Sequence, residues 1–126
     1  MNESNIGTAI VEAALKVHSA LGAGLLENAY EACLAHELQK GGLEVRRQVP
    51  FPVEYDGTKL DIGYRLDLLV GEAVVVEVKA VEKVLPVHSA QVLSYLKLGG
   101  FKLGYLLNFN VVHMRDGIKR VINGQL

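Results

Sequence analysis

The chain has 126 residues, half of them hydrophobic, which suits one domain with a substantial core and excludes a mainly disordered protein. Its 13 basic and 14 acidic residues give a net charge of −1, which excludes a large basic surface, so any nucleic-acid partner must meet a local patch or several copies of the chain. One cysteine, Cys33, excludes an intrachain disulfide, and the absence of a basic signal-like start and of a long apolar run predicts a cytoplasmic protein with no membrane span.

The N-terminal part of the chain predicts two helices. The first covers residues 4–21, with Ser4 as its N-cap, and Gly22-Ala23-Gly24 breaks it. The second runs from about Leu25 to Lys40 and ends at Gly41-Gly42. The first helix carries an apolar stripe of residues spaced three to four apart, namely Ile6, Ile10, Ala13, Ala14, Val17 and Leu21. Cys33 is expected in the apolar part of the second helix.

The second helix places an acid on its apolar side. Tyr30, Leu34 and Leu38 share one arc at 100° per residue, and Glu27 falls inside that arc. Two interpretations stay open for Glu27. Carboxylates favour helix N-termini for electrostatic reasons alone, or the side chain serves a functional site.

The middle of the chain predicts strands. A strand near Glu44–Val49 leads to an edge-like segment at Pro50 and Pro52, because proline suits edge strands. Asp56-Gly57 is a strong hairpin turn before a strand at Thr58–Ile62. Two apolar strands follow, one around Asp67 and one over Val74–Val81. The short Gly71-Glu72 turn between them indicates a hairpin.

The last third predicts one helix and three short strands. Pro86 opens the helix, which runs to about Leu98 and is closed by Gly99-Gly100. The strands are expected at Leu103–Leu107, at Val111–Met114 and near Ile118–Ile122. The resulting order, α-α-β-β-β-β-α-β-β-β, predicts an α/β (mixed α+β) fold in which helices flank a central mixed sheet. We expect a single domain over residues 1–126.

Three charged side chains interrupt the two apolar strands. Glu77 and Lys79 are two positions apart and therefore point to the same side of their strand, and Asp67 lies on the neighbouring strand. Two carboxylates and a lysine in this arrangement suit a hard divalent cation beside an activated water. The alternative is an ordinary solvated sheet face, on which Glu and Lys at this spacing are common.

The late helix carries a polar stripe. His88, Gln91 and Tyr95 share one side of the helix with Val87 and Leu98, so that three polar groups point inward or into a cleft. His88 also fits a satisfied surface residue, and Tyr95 fits a core residue with its hydroxyl at the rim. Gln91 is the member of the stripe that is hardest to explain structurally.

Taken in chain order, these motifs resemble the GxxExxY protein family, a compact branch of the PD-(D/E)XK nuclease superfamily. The motifs are Gly24-Leu25-Leu26-Glu27-Asn28-Ala29-Tyr30, Tyr64-Arg65-Leu66-Asp67, Glu77-Val78-Lys79-Ala80-Val81-Glu82-Lys83, Pro86-Val87-His88-Ser89-Ala90-Gln91, Tyr95-Leu96-Lys97 and Asp116-Gly117-Ile118-Lys119-Arg120. They span nearly the whole chain. One departure is Leu66, which stands where the superfamily name has proline.

The resemblance implies a restriction-endonuclease-like core and named roles. Asp67 and Glu77 would bind Mg²⁺ or Mn²⁺ with the Val78 carbonyl, and Glu27 would contact the metal directly or through water. Lys79 would serve the attacking water or the charged phosphorane. The residues expected to position the water or the phosphate are Gln91, Tyr95 and His88. The candidate phosphate contacts are Arg65, Lys83, Lys97 and Lys102, with His88 beside them.

Two functions are therefore predicted from the sequence. The first is a metal-dependent phosphodiester hydrolase that acts on DNA. The second is a weakly active or inactive protein on the same fold that forms a homo-oligomer or binds nucleic acid. A homo-oligomer is expected in either case, with the apolar stripe of the first helix as its interface. The competing account is that this stripe packs entirely against the chain's own sheet.

Overall fold

The structure is a computed structural model, and it describes residues 2–126. Its three helices are α1 (Glu3–Leu21), α2 (Glu27–Lys40) and α3 (Pro86–Gly99). The N-cap of α1 is Asn2, whose side chain accepts a hydrogen bond from the Asn5 N–H, so the assignment of Ser4 as the cap was wrong. Asparagine satisfies a free N–H of the first turn as well as serine does.

The second helix begins at Glu27, two residues later than expected. The Tyr30 hydroxyl accepts a hydrogen bond from the Leu25 N–H at 3.1 Å and donates one to the Gly22 carbonyl at 2.6 Å. These bonds hold the connection between α1 and α2 in a loop. The Tyr30 ring stacks on Phe109 with ring centroids 4.6 Å apart, so this side chain ties the loop to the core.

Seven strands form one mixed sheet and one separate hairpin. The strands are β1 (Val45–Pro50), β2 (Val53–Tyr55), β3 (Thr58–Leu60), β4 (Arg65–Val70), β5 (Val74–Lys79), β6 (Leu103–Asn108) and β7 (Ile118–Ile122). The five-stranded sheet has the order β1-β4-β5-β6-β7, and only β5 and β6 run parallel. The separate hairpin joins β2 to β3 through Asp56 and Gly57, both with positive φ as its turn requires. The predicted central mixed sheet with flanking helices is confirmed.

The prediction of a strand at Val111–Met114 was wrong. This segment is a bend followed by a 3₁₀ turn at Met114–Gly117, and five strands precede α3 while two follow it. The Val111 carbonyl bonds to the His18 ring at 2.8 Å instead of to a strand. Met114 is buried all the same, so the apolar residues of this segment serve the core from a loop.

The helices cover both faces of the sheet, which creates two hydrophobic layers. One lies between the sheet and α1 with α2, and the other lies between the sheet and α3. The stripe of α1 is buried in the first layer except for Leu21, which is 40% exposed. Cys33 is half-buried against the same layer. Within residues 2–126, no helix has the length and apolar character needed to cross a membrane.

Candidate functional site

The candidate site begins where β4 and β5 separate. Their antiparallel ladder pairs residues 68–70 with residues 74–76 and goes no further. Beyond it, side chains replace the backbone partners. The Val78 N–H donates to Asp67 Oδ2 at 2.8 Å, and the Asp67 N–H donates to Glu77 Oε1 at 3.3 Å. The two carboxylates therefore lie between the strand ends, as the sequence predicted for adjacent strands of a hairpin.

Glu77 is a buried acid next to a second acid. The residue is only 5% exposed, and burial, followed by the negative charge of Asp67, raises the pKa of its carboxyl from the ordinary 4.5 to about 8. The hydrogen bond from the Asp67 N–H and the positive charge of Lys79 act in the opposite direction. A cation between the two carboxylates would remove most of this penalty, because it favours the ionised form of both.

An open cavity of about 420 Å³ lies in front of the two carboxylates. Five of the residues predicted for the site line it, namely Glu27, Asp67, Glu77, Val78 and Lys79. Glu27 is exposed at the start of α2, and Lys79 is half-buried at the end of β5. The structure thus brings residues from α2, β4 and β5 to one opening.

Four further residues line the cavity that sequence reasoning did not identify: Asn28, Glu31, Arg47 and Gln48. Glu31 is 6% exposed, and Arg47 donates to its Oε2 through two nitrogens, at 2.9 and 3.0 Å. Gln48 donates to Glu31 Oε1 at 2.6 Å. One signal was available in the sequence, since Glu31 lies three residues before Leu34 on the same apolar arc. No local signal points to Gln48.

The polar residues of α3 lie outside the cavity lining. Gln91 donates to the Tyr95 hydroxyl at 2.9 Å, and Tyr95 packs edge-on against Phe51 and Tyr64. Burial, then the charge of Glu77, raises the pKa of the Tyr95 phenol. His88 accepts a hydrogen bond from the Leu85 N–H through Nδ1 and so caps α3.

The predicted phosphate contacts are dispersed over the surface. All four side chains are exposed and none lines the cavity: Arg65, Lys83, Lys97 and Lys102. The cavity has its own arginine, Arg47, whose side chain is 44% exposed beside the buried Glu31. Apart from Lys79, the cation that lines the cavity is therefore one that the sequence pattern did not indicate.

The donor set fits a hard divalent cation with few protein ligands. Within residues 2–126, no group of three or more His, Cys, Asp or Glu side chains is arranged to hold a metal ion. Two carboxylates, Asp67 and Glu77, remain as charged oxygen donors, and Mg²⁺ is commonly held by one or two carboxylates together with waters and substrate phosphates. Glu27 does not complete a three-carboxylate group, so its contact through water stays a prediction.

Comparison with known proteins gives one match. A model of the PD-(D/E)XK nuclease superfamily matches residues 4–121, which is nearly the whole chain. No curated protein and no solved structure matches it. The matched span contains all the elements that form the cavity.

Proposed function

Because the chain belongs to the PD-(D/E)XK nuclease superfamily, we propose that it is a divalent-metal-dependent nuclease that hydrolyses phosphodiester bonds in DNA. One observation carries the proposal. The carboxylates of Asp67 and Glu77 lie between the separated ends of β4 and β5, and Lys79 lines the same cavity. Within the superfamily we place the chain in the GxxExxY branch, on the motif from Gly24 to Tyr30.

In this proposal Asp67 and Glu77 bind Mg²⁺ or Mn²⁺, with the Val78 carbonyl as a further ligand and Glu27 acting through water. The cation, when bound, lowers the pKa of a coordinated water and neutralises charge on the phosphate. Lys79 orients the attacking water, or stabilises the negative charge that develops on the phosphate. The burial of Glu77 supports this assignment, because a buried carboxylate without a counter-ion is costly.

Gln91 and Tyr95 are proposed to position the water or the phosphate from the side of α3. Gln91 donates to the Tyr95 hydroxyl, which leaves the phenolic proton of Tyr95 free to be donated to another group. His88 caps α3, and this bond keeps its ring at the start of the helix. The phosphate contacts proposed for Arg65, Lys83, Lys97 and Lys102 would guide the flanking DNA rather than the scissile phosphate, since these residues lie outside the cavity.

A homo-oligomer remains part of the proposal, although its expected interface does not. The α1 stripe is used within the chain's own core, so only Leu21 is left exposed there. The β2–β3 hairpin and the segment that follows it offer more apolar surface, with Tyr55 73%, Ile62 53% and Tyr64 44% exposed. An isolated two-stranded hairpin is only marginally stable in water, so a second copy that covers it would stabilise it.

A plasmid-cleavage assay tests the proposed function. Wild-type protein is expected to nick or linearise DNA with Mg²⁺ or Mn²⁺ and to stop when EDTA is added. Asp67→Asn should be inactive, while Asp61→Asn, which alters an exposed aspartate of the hairpin segment, should behave like wild type. No hydrolysis of DNA or RNA with either metal would refute the proposal and favour the weakly active or inactive assembly or binding protein.

A further inference from the structure

Two consecutive residues of β1 reach the same buried carboxylate. Arg47 donates to Glu31 Oε2 at 2.9 and 3.0 Å, and Gln48 donates to Glu31 Oε1 at 2.6 Å. In a regular strand, neighbouring side chains point to opposite faces of the sheet. A shared acceptor therefore requires the backbone of β1 to depart from regular strand geometry at this point.

The departure is located at Gln48. Its φ is 51°, in the left-handed region that residues other than glycine, asparagine and aspartate rarely adopt. Arg47 pairs with Leu68 and Val49 pairs with Leu66, but Gln48 and its opposite residue Asp67 do not pair. Backbone strain of this kind tends to persist where a function requires it.

The irregularity also changes which layer the strands face. Leu66 packs in the α3 layer, whereas Leu68, two residues later, packs in the layer under α1 and α2. A regular strand would keep both on one face. On β1, Val49 packs in the α3 layer while Arg47 reaches Glu31 on α2. Both strands therefore change the face to which their side chains point at the same position along the ladder. Asp67 is located at that position.

The Gln48 side-chain amide connects this irregular part of β1 to the candidate site. Its Nε2 lies 2.6 Å from Glu31 Oε1 and 3.4 Å from Asp67 Oδ1, so its two N–H groups face two different carboxylates. The other oxygen of Asp67, Oδ2, accepts the Val78 N–H. Both oxygens of Asp67 thus face a donor, the Val78 N–H at 2.8 Å for Oδ2 and the Gln48 amide at the longer distance of 3.4 Å for Oδ1.

We propose that Gln48 is a positioning residue, whose left-handed backbone and side-chain amide orient the Asp67 carboxylate for metal binding and hydrolysis. This inference rests on the proposed function for its catalytic consequence. Its structural part, the orientation of Asp67, can be measured through metal affinity alone. Groups that orient metal ligands typically change affinity or activity by about 10- to 100-fold when removed.

Two substitutions separate the contribution of the Gln48 side-chain amide from the contribution of its left-handed backbone. Gln48→Met keeps the length of the side chain and the strained backbone but removes the N–H donors. Gln48→Gly removes the amide and also relieves the strain, because glycine adopts positive φ without a steric penalty. Asp56→Gly is the matched control, since Asp56 has a φ of 53° in the exposed hairpin turn, away from the cavity.

Calorimetry with Mn²⁺, urea unfolding without metal and DNA cleavage decide the question. We expect Gln48→Met and Gln48→Gly to bind Mn²⁺ about 10-fold more weakly and to lower kcat about 10- to 100-fold with little change in KM for DNA. Gln48→Gly should unfold at the same or a higher urea concentration than wild type. Asp56→Gly should bind Mn²⁺ as wild type does.

Several outcomes would overturn the inference. Wild-type Mn²⁺ affinity in Gln48→Met would show that the amide does not orient Asp67. Loss of stability in Gln48→Gly with unchanged Mn²⁺ affinity would show a structural role alone, and equal losses of affinity in Asp56→Gly would show that the effect is not local. A wild-type protein that binds Mn²⁺ without cleaving DNA refutes the proposed function, whereas the affinities of the variants still decide the role of Gln48.

Discussion

Replacing Glu77 with glutamine should stabilise the metal-free protein at alkaline pH. The Glu77 carboxyl is buried next to Asp67, and its pKa is raised to about 8. Glutamine has nearly the same shape, keeps an oxygen to accept the Asp67 N–H, and gains an N–H₂ group that can donate to the Asp67 carboxylate. The substitution therefore removes the unfavourable charge without emptying the space.

The direction of the effect follows from where the proton is held. Between pH 4.5 and about 8 the unfolded chain has released the Glu77 proton while the native state retains it, so the free energy of unfolding falls as the pH rises through this window. Each pH unit contributes about 1.4 kcal/mol, which sets an upper limit of about 5 kcal/mol. Relaxation and water entry reduce such penalties, so we expect Glu77→Gln to gain about 2 to 4 kcal/mol at about pH 9 and to differ little from wild type at about pH 5.

Urea unfolding in EDTA, measured across this pH range, gives the difference directly. Glu72→Gln is the control, because Glu72 is a 46% exposed side chain and the same substitution there should give a difference that does not grow with pH. Saturating Mn²⁺ should reduce the difference between Glu77→Gln and wild type at alkaline pH, since it stabilises the wild type by about 2.7 kcal/mol at 100 times its dissociation constant. A Glu77→Gln protein that is no more stable than wild type at about pH 9 would refute the reasoning.

Three further predictions concern the metal, the lysine and the loop before α2. Calorimetry should show Mn²⁺ binding in the wild type and a strong loss in Asp67→Ala, and equal affinities would contradict the assignment of the ligands. Lys79→Ala should lower the cleavage rate about 100-fold or more while Mn²⁺ binding and the fold are retained, and undiminished hydrolysis would exclude Lys79 from the chemistry. Tyr30→Phe should cost about 1 to 2 kcal/mol in urea unfolding because two hydrogen bonds of its hydroxyl are lost, whereas Tyr55→Phe, at a 73% exposed side chain, should cost almost nothing.

The parts of the site that follow from local sequence pattern were predictable. Asp67 and Glu77 interrupt two apolar strands joined by a short turn of three residues, Gly71 to Ala73, and side-chain alternation then places Lys79 beside Glu77. The helices were also predictable from apolar periodicity and from their glycine stops. These features depend on residues a few positions apart, for which the chain itself limits the possible geometry.

The cavity residues Glu31, Arg47 and Gln48 were not predictable, because their arrangement depends on contacts between distant segments. Glu31 meets Arg47 and Gln48 across 16 and 17 positions, and no pattern within β1 indicates a left-handed residue at Gln48. The error at Val111–Met114 has the same origin. An apolar run favours a strand locally, but the ring of His18, 93 positions away in the chain, bonds to the Val111 carbonyl.

The net charge of the cavity depends both on residues that local sequence pattern predicts and on residues that only the folded chain brings there. Four carboxylates line it, from Glu27, Glu31, Asp67 and Glu77, against two cations, from Arg47 and Lys79. If all six are ionised, the cavity carries a net charge of −2, and the cavity would repel a phosphodiester, which is itself an anion. One divalent cation brings the sum to zero, and Lys79, which has no such partner as Arg47 has in Glu31, is then the cation that can attract phosphate. The acids found by pattern, Glu27, Asp67 and Glu77, create the need for a cation, whereas Glu31 and Arg47, found only in the folded chain, neutralise each other.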